Sequence, residues 1–298
     1  MDMKIPKTLL GIMCIGLLLL NMIVCCPAEV KAEEEITFAM LPQMANAIAF
    51  KKWKPILDHL EKQTKYKFTQ VFPKDFDEHV KLCQEGKIDF AYSNPITYIQ
   101  MAPKAGERKD GHIAIALANR PQGARDFYGL FIIRADNPNI KTINDIKGKK
   151  GWIVGWTSAG GYTFQQAYAL DNGIDLKTDC MITEAPENKQ EKVIMAVYNR
   201  ETDFGCIRNG MLNVMKDKID LSQLKIFAET PRYPAWVLSY NSRLKPKVVS
   251  EIEQALLKVP EGLLKEVELP GKPTGFVKAI DSDLDSIRKV ADKVNIAY

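Results

Sequence analysis

The sequence predicts an α/β fold of two lobes, with two hinge crossovers and a cleft where the lobes meet. Three observations support this prediction. Strand and helix patterns alternate along most of the 298 residues, and a chain of this length exceeds the usual size of one hydrophobic core. The alternation pauses once, at the polar stretch 119–126. Because alternating strands and helices build a mostly parallel sheet covered by helices, we expect one such sheet in each lobe.

The first part of the chain predicts four strands and three helices. The strands are expected at 36–40, 67–72, 88–92 and 112–118. Two helices are predicted by apolar residues at helical spacing: Trp53, Ile56, Leu57 and Leu60, then Phe76, Val80 and Cys83. Gly86 ends the second helix, and Asn94-Pro95 begins the third.

The middle of the chain predicts the second lobe. Its strands are expected at 127–134, 152–156, 204–207 and 224–228. Thr142 and Asp145 have the spacing of a capping box, and 157–161 forms a tight loop before a helix at 164–170. A further helix is predicted by the apolar stripe Val193, Ile194, Val197 and Tyr198.

The tail predicts a strand at 236–240 and two amphipathic helices. Lobe one therefore comprises 33–125 plus 238–298, and lobe two comprises 126–237. The chain crosses between the lobes near 119–130 and again near 232–240. Two extended crossovers make a hinge, and the cleft between lobes is the first place to expect a ligand.

The N-terminus has the parts of a secretory signal. Lys4 and Lys7 precede an apolar run of 17 residues at 8–24, and Val30-Lys31-Ala32 offers a small-x-small cleavage site. We expect residues 1–32 to be removed and the mature chain to be periplasmic or otherwise extracytoplasmic. One alternative is an uncleaved membrane anchor, although the apolar run has only the minimum length of a membrane-spanning helix. A lipid anchor at Cys25 or Cys26 is another, although no small residue precedes them.

Charge and cysteine content exclude several classes of function. The net charge is +4 and no basic stripe stands out, so nucleic acid is not an expected partner. Cys83, Cys180 and Cys206 remain after cleavage, which permits at most one disulfide and leaves a Cys180–Cys206 pair open. His79 and Cys83 have a metal-ligand spacing, but no further ligands cluster nearby, so no metal and no cofactor are expected.

The loop 155–162 is the strongest candidate for binding an anion. It connects a predicted strand to a predicted helix, so free backbone N–H groups and the positive helix end face the same point. Thr157 and Ser158 add hydroxyl donors, and Gly160 lets a ligand approach the backbone closely. The alternative is an ordinary turn with a serine or threonine cap.

Two enzymatic interpretations of this loop do not fit. A nucleotide-binding P-loop ends in Gly-Lys-Ser/Thr, whereas Gly160 and Gly161 precede Tyr162. A nucleophile elbow has a glycine two residues before its serine, and Trp156 stands there. All three histidines also precede Ser158 in the chain. No catalytic residues are therefore expected.

Other site candidates lie at predicted strand ends. Ser93 and Asn94 follow the third strand, at the edge where open α/β sheets bind ligands, although both could merely cap a helix. Arg208 and Asn209 follow the strand 204–207, where a guanidinium would suit a phosphate-like group; a solvated surface arginine is the alternative. The aromatic candidates are Tyr128, Trp156, Tyr162, Tyr233 and Trp236, any one of which core packing would also explain.

The chain resembles the phosphate/phosphite/phosphonate-type periplasmic substrate-binding proteins of ABC importers, from about Ile36 to about Leu244. The order and spacing of six segments carry the resemblance: FAMLPQMANAIAFKKWKPILDHLEKQT, KIDFAYSNPITYI, FYGLFIIRADNPNIKTINDIKGKKGWIV, TSAGGYTFQQAYALDNGID, ENKQEKVIMAVYNRETDFGCIRNG and ETPRYPAWVLSYNSRL. The resemblance implies a type II-like, two-lobed receptor that closes on a small anionic ligand. We expect a monomer that delivers this ligand to an ABC permease. The alternative is a sensory subunit that reports to a membrane histidine kinase.

The resemblance also implies site roles. The family's Ser-Thr-Ser-Gly turn corresponds to Thr157, Ser158, Ala159 and Gly160, with Ala159 in place of a hydroxyl. The acid that holds a ligand amine in phosphonate binders is absent, because Arg208-Asn209-Gly210 stands there. Asn188 or Gln190 stands in the region of a family histidine. An aminoalkyl-phosphonate ligand is therefore not expected, and Cys206 keeps open the arsenite recognition known in related receptors.

Overall fold

The computed structural model describes residues 35–103, 110–119 and 127–298. From Glu34 onward the chain is one compact unit that contains two β-sheets. The predicted signal peptide, the lipid-anchor alternative at Cys25 or Cys26, and most of the first predicted crossover lie outside the described residues.

Eleven strands and ten α-helices make up the described fold. The strands are β1 (Glu35–Met40), β2 (Lys67–Gln70), β3 (Phe90–Ser93), β4 (His112–Asn119), β5 (Gly129–Arg134), β6 (Lys150–Ile153), β7 (Met181–Glu184), β8 (Phe204–Arg208), β9 (Leu224–Glu229), β10 (Val237–Asn241) and β11 (Gly275–Lys278). The helices are α1 (Asn46–Gln63), α2 (Phe76–Gln84), α3 (Pro95–Met101), α4 (Thr163–Asp171), α5 (Leu176–Asp179), α6 (Gln190–Tyr198), α7 (Met211–Met215), α8 (Pro246–Leu256), α9 (Glu261–Val267) and α10 (Asp285–Lys293).

The two sheets correspond to two lobes. The first has the order β11-β4-β10-β3-β1-β2, and so takes strands from both ends of the chain. The second has the order β7-β6-β8-β5-β9, and takes the five strands between them. This arrangement is the two-lobed α/β fold that the alternating pattern predicts.

The expectation of mostly parallel sheets is wrong. The pairs β1–β2, β1–β3, β6–β7 and β6–β8 are parallel, but β10 runs antiparallel to β3 and β4, and β5 runs antiparallel to β8 and β9. The edge strand β11 is also antiparallel to its neighbour β4. The physical reason is the connectivity. The strand that follows each crossover inserts into the middle of a sheet from the opposite direction, so a helix-connected parallel unit cannot form there.

Capping residues begin several helices where the sequence indicates. The Asp75 carboxylate accepts a hydrogen bond from the Glu78 backbone N–H at the start of α2. Gly86, with φ of 73°, follows that helix in the left-handed conformation that glycine favours. The Thr142–Asp145 capping box is present, but it begins a 3₁₀ turn at Ile143–Ile146.

The two chain crossings pair with each other where they are described. Phe127 and Tyr233 form an isolated antiparallel bridge, with the Tyr233 N–H donating to the Phe127 carbonyl at 2.8 Å. A few residues on, the Thr230 N–H donates to the Gly129 carbonyl at 3.0 Å. The described connection between the lobes is therefore a short two-stranded ribbon.

One apolar cluster spans both lobes. It joins Ile96 and Ile99 of α3 and Ile287 of α10 to Ala159 and Phe164, which lie at the start of α4. The N-terminal end of α3 and the start of α4 therefore lie close together across the boundary between lobes. Among the residues that the structure describes, no helix has the length and apolar character needed to cross a bilayer.

Candidate ligand-binding site

The loop after β6 folds inward and ends in α4. The Ser158 N–H donates to the Gly155 carbonyl at 2.9 Å, and the Thr163 N–H donates to the Ser158 carbonyl at 2.9 Å. Between them, Ala159–Gly161 forms a buried 3₁₀ turn, and Ser158 is buried as well. Trp156 is 39% exposed, because β6 ends at Ile153 and does not continue to Trp156 as predicted. The turn therefore directs Ser158 to the interior and Trp156 to solvent.

A buried glutamine on α4 holds this turn against the second sheet. Gln165 Nε2 donates to the Gly160 carbonyl at 2.8 Å, to the Ile207 carbonyl at 3.0 Å and to the Leu130 carbonyl at 3.3 Å. These carbonyls belong to the turn, to β8 and to β5. The sequence analysis missed Gln165. The apolar pattern of a helix does not indicate that a glutamine within it is buried and hydrogen-bonded to neighbouring strands.

Gly160 allows the turn to contact the end of β8. A Cβ atom at Gly160 would lie 2.7 Å from the Cβ of Arg208 and 2.9 Å from the Phe127 ring. Such distances are shorter than van der Waals contact, so a side chain at this position would displace one of these neighbours. The structure therefore brings Arg208 directly against the predicted anion turn.

The first lobe contributes the residues that follow β3. Asn94 caps α3, since its Oδ1 accepts from the Thr97 N–H at 3.0 Å. Its amide nitrogen, Nδ2, is buried and has no hydrogen-bond partner within the described part of the chain. Ser93 is fully buried, and its hydroxyl lies 2.9 Å from His79 Nε2. Asn94 thus has both the capping role and a free donor.

Buried donors without partners occur in α3 and its N-cap and at the first residue of α4, and α3 contacts the turn at 159–161 that precedes α4. The Asn94 amide nitrogen and the hydroxyls of Thr97 and Thr163 are buried with no hydrogen-bond partner among the described residues. A buried polar group left unpaired costs roughly 1–3 kcal/mol, so three of them in one region need an explanation. We use the term seam for Ser93, Asn94, Thr97, Ser158 and Thr163, which belong to the end of β3, the start of α3, the loop that leads into α4 and the first residue of α4.

An open cavity of about 210 Å³ lies beside Arg208, the residue that packs on the turn at Gly160. Residues of both lobes line it: Gln43, Met44, Ile48, Lys52, Gln190, Glu191, Arg208, Met211, Val214, Glu268, Leu269, Pro270 and Lys272. Of the predicted candidates, Arg208 lines this cavity. Gln190, which stands in the region of the absent family histidine, accepts from the Arg208 backbone N–H at 3.0 Å. Gln43, Met44 and the two lysines were missed, because nothing in the local sequence marks any of these four side chains as facing a cavity.

The predicted aromatic residues are not gathered in one pocket. Trp236 is buried in the core of the first lobe, with its ring 5.0 Å from that of Tyr92. Tyr233 stacks on Phe164 at 4.2 Å. Trp156 and Tyr162 form a T-shaped pair with ring centres 5.0 Å apart. The Tyr162 hydroxyl is buried and has no hydrogen-bond partner among the residues that the structure describes.

The remaining two candidates lie beside the ribbon between the lobes. The Arg232 guanidinium lies 4.3 Å from the centre of the Tyr128 ring. The Asn209 N–H donates to the Tyr128 carbonyl at 3.0 Å, which ties the end of β8 to the start of β5. Tyr128 and Asn209 therefore contact each other, and the structure gives Asn209 this backbone role.

The described cysteines are reduced. Cys83, Cys180 and Cys206 are free, so Cys180 and Cys206 do not pair. Cys206 is buried beside Phe131 and Phe204, and burial raises the pKa of its thiol. Thiolate is the form that binds soft metals and metalloids, so this environment does not favour arsenite at Cys206. No group of three metal-ligating side chains occurs within 35–103, 110–119 and 127–298.

Comparisons with known proteins agree with this architecture. The sequence profile of the family described as "ABC transporter, phosphonate, periplasmic substrate-binding protein" matches residues 38–284. The phosphate-import protein PhnD of Mycolicibacterium smegmatis is 25% identical over 286 residues, which cover 87% of this chain and 85% of that protein.

Solved structures share the fold. A binding protein component of an ABC phosphonate transporter from Pseudomonas aeruginosa has a TM-score of 0.72 at 20% identity, over 87% of this chain and 85% of that chain. PhnD1 from Prochlorococcus marinus, in complex with methylphosphonate, has a TM-score of 0.70 at 16% identity, over 89% and 99% of the two chains. Because the profile match covers most of the sequence, this chain belongs to the family of periplasmic substrate-binding proteins of phosphonate ABC transporters.

Proposed function

We propose that the chain binds a phosphonate or phosphate-like oxyanion in the seam and passes it, chemically unchanged, to an ABC permease. The observation that carries the proposal is that Asn94, Thr97 and Thr163 have buried donors with no partner among the described residues. An ionised oxygen would accept from such donors, and charge-assisted hydrogen bonds are about twice as strong as neutral ones. The family places this activity outside the cytoplasmic membrane, and the methylphosphonate complex of PhnD1 supports the ligand class.

Arg208 supplies the positive charge near the anion. It is the last residue of β8, contacts the turn at Gly160 and lines the open cavity. The ligand's oxyanion head would lie in the seam, and its substituent would extend into the cavity toward Met44 and Met211. A positively charged amine in that substituent would lie near the positively charged Arg208 and be repelled by it. We therefore propose that ligands with an apolar substituent bind more tightly than aminoalkyl ligands.

The cavity supports this preference. Its apolar lining includes Met44, Ile48, Val214 and Leu269. Its charged lining includes three cations, Lys52, Arg208 and Lys272, against Glu191 and Glu268. Lys52 donates to the carbonyls of Val267 at 2.6 Å and Glu268 at 3.0 Å, and burial lowers its pKa. The excess of cations favours an anionic ligand and disfavours a ligand amine.

Ligand binding would close the lobes about the crossovers. We propose the lobes 33–125 plus 238–298 and 126–237 as the moving bodies, with the Phe127–Tyr233 bridge at the hinge. Such a receptor works as a monomer, and residues 1–32 would serve as a cleaved signal for export. No observation favours the sensory alternative over import.

Titration calorimetry with the mature chain tests the proposal. The panel is inorganic phosphate, methylphosphonate, ethylphosphonate, 2-aminoethylphosphonate and sodium arsenite. We expect one-site binding of at least one of the first three, weaker binding of the amine, and recovery of the ligand unchanged by phosphorus NMR. Absence of heat for phosphate and both alkylphosphonates would overturn the oxyanion proposal, and turnover of the bound ligand would overturn the receptor role.

A further inference from the structure

A buried histidine lies behind the seam. His79, on α2, is fully buried, and its Nε2 lies 2.9 Å from the Ser93 hydroxyl oxygen. Its other ring nitrogen, Nδ1, is buried and has no hydrogen-bond partner in the described structure. Burial, with a smaller contribution from His112, lowers the pKa of His79 to about 3. At neutral pH the ring therefore carries one proton, on one of its two nitrogens.

The neighbouring His112 shows what a fully paired ring does in this lobe. Its Nε2 lies 3.0 Å from the Ile88 carbonyl, which can only accept, so this nitrogen carries the proton. Its Nδ1 then accepts from the Ser239 hydroxyl at 3.0 Å. Both nitrogens of His112 have partners, whereas His79 has a partner at only one nitrogen within the described residues.

The tautomer of His79 decides which of two buried donors lacks an acceptor. A proton on Nδ1 would leave the Nδ1–H group unpaired, whereas a proton on Nε2 would leave the Ser93 hydroxyl proton unpaired. Of these two groups Ser93 belongs to the seam, where a ligand oxygen can accept its proton, so the seam favours the tautomer with the proton on Nε2. Nε2 then donates to Ser93, and the Ser93 hydroxyl accepts. The proton of Ser93 is left without an acceptor inside the described protein.

We propose that His79 is a positioning residue that makes the Ser93 hydroxyl a dedicated donor to the ligand. Asn94 is in a similar state, since its Oδ1 already accepts from the Thr97 N–H and its NH₂ group has no partner among the described residues. Both neighbouring groups therefore present a free donor to the seam. The first-lobe side of the seam would then favour an ionised oxygen, which only accepts, over a P–OH group, whose proton needs an acceptor of its own. This inference rests on the proposed function of the seam.

A double-mutant cycle tests the positioning role with methylphosphonate as the probe. His79→Leu cannot donate to Ser93, so we expect its affinity to fall roughly 10-fold, within the range for losing one charged hydrogen bond. In a Ser93→Ala background the same change should cost no further affinity. His79→Gln, which can donate through its amide, should recover most of the loss.

The matched control is His112→Leu, which removes an equally buried histidine whose partner Ser239 lies inside the first sheet. This substitution should lower the free energy of unfolding. It should leave the affinity for methylphosphonate within about twofold of the wild-type value, as expected for a purely structural role. If His79→Leu lowers the affinity equally in the wild-type and Ser93→Ala backgrounds, the inference is overturned while the proposed function stays intact.

Nitrogen NMR of the wild-type protein provides a second readout that no folding defect can disturb. The His79 imidazole should show a protonated Nε2 and an unprotonated Nδ1. Protonation at Nδ1 would overturn the inference, because Ser93 would then donate to His79 instead of to the ligand. If the wild-type protein binds neither phosphate nor any alkylphosphonate, the proposed function fails, and the inference fails with it.

Discussion

Removal of an unpaired hydroxyl from the seam should raise stability and lower affinity at the same time. The substitutions are Thr163→Val and Thr97→Val, which replace a hydroxyl with a methyl group of similar size. Both hydroxyls are buried and have no hydrogen-bond partner among the described residues. The ligand-free protein therefore bears their desolvation cost without a compensating bond.

The size of both effects follows from this environment. Loss of a buried, unpaired hydroxyl should raise the free energy of unfolding by about 1–3 kcal/mol for each threonine. Loss of one hydrogen bond to an anion should weaken binding by about 1.5–3 kcal/mol, or roughly 10- to 150-fold. A hydroxyl with a purely structural role would not produce these opposite signs.

Thr202→Val is the matched control. Thr202 is also buried, but its hydroxyl donates to the Lys150 carbonyl at 2.8 Å. Its replacement should lower the free energy of unfolding by about 1 kcal/mol and leave the affinity unchanged.

The assays are urea unfolding of the ligand-free protein and titration calorimetry with methylphosphonate. The reasoning is refuted if Thr163→Val destabilises the free protein, or if both seam variants bind as tightly as the wild type.

Two further perturbations test the turn and the buried histidines. Gly160→Ala would place a methyl group 2.7 Å from the Cβ of Arg208, so we expect about 1–3 kcal/mol of lost stability and weaker binding by calorimetry. Gly262→Ala is its control, because a methyl group there would meet no packing neighbour within 4 Å beyond the adjoining residues and backbone of its own helix, and equal affinity in both variants would contradict the packing of Arg208 on the turn. The pKa values of His79 and His112, about 3 and about 4 in the fold, lie below the unfolded value of about 6.5. The unfolded chain therefore binds these protons first as the pH falls, and the free energy of unfolding should drop by about 1.4 kcal/mol per histidine and per pH unit between pH 6.5 and 5. Urea unfolding at pH 7, 6 and 5 measures this, and a flat profile would contradict the burial of both rings.

The order of strands and helices could be predicted because the spacing of apolar residues and the capping residues indicate it locally. The spacing of Trp53, Ile56, Leu57 and Leu60 predicts a helix, and α1 buries all four residues. Asn94-Pro95 predicts the start of α3, and the structure has Asn94 at its N-cap. These signals depend only on neighbours in the sequence, so tertiary packing does not override them.

The strands and helices that the sequence analysis did not predict are short or lie at the edge of a sheet. β7 is mostly exposed at the edge of the second sheet, and β11 has four residues at the edge of the first. Strands with one unpaired side need little apolar sequence, so periodicity does not reveal them. α5 and α7 have four and five residues, too few for an amphipathic stripe.

The direction of the strands and the hydrogen bonds of the site depend on contacts between residues that are far apart in the sequence. β10 pairs with β3 and β4, far away in the sequence, and no local pattern encodes its antiparallel insertion. Gln165 bonds to three carbonyls from separate segments, and His79 meets Ser93 only because α2 packs on β3. The motif at Ser158 was visible in the sequence, whereas the residues that orient it were not.

A crystal structure of the mature chain with methylphosphonate tests the central claim most directly. We predict the phosphonate oxygens within about 3.2 Å of donors from both lobes, including the Ser93 hydroxyl, the Asn94 amide and the Thr163 hydroxyl, with the methyl group toward Met44. Arg208 should contact one of the same oxygens. A phosphonate found in the open cavity against Lys52 and Lys272, with the donors of the seam still unpaired, would contradict the assignment of the seam as the anion site.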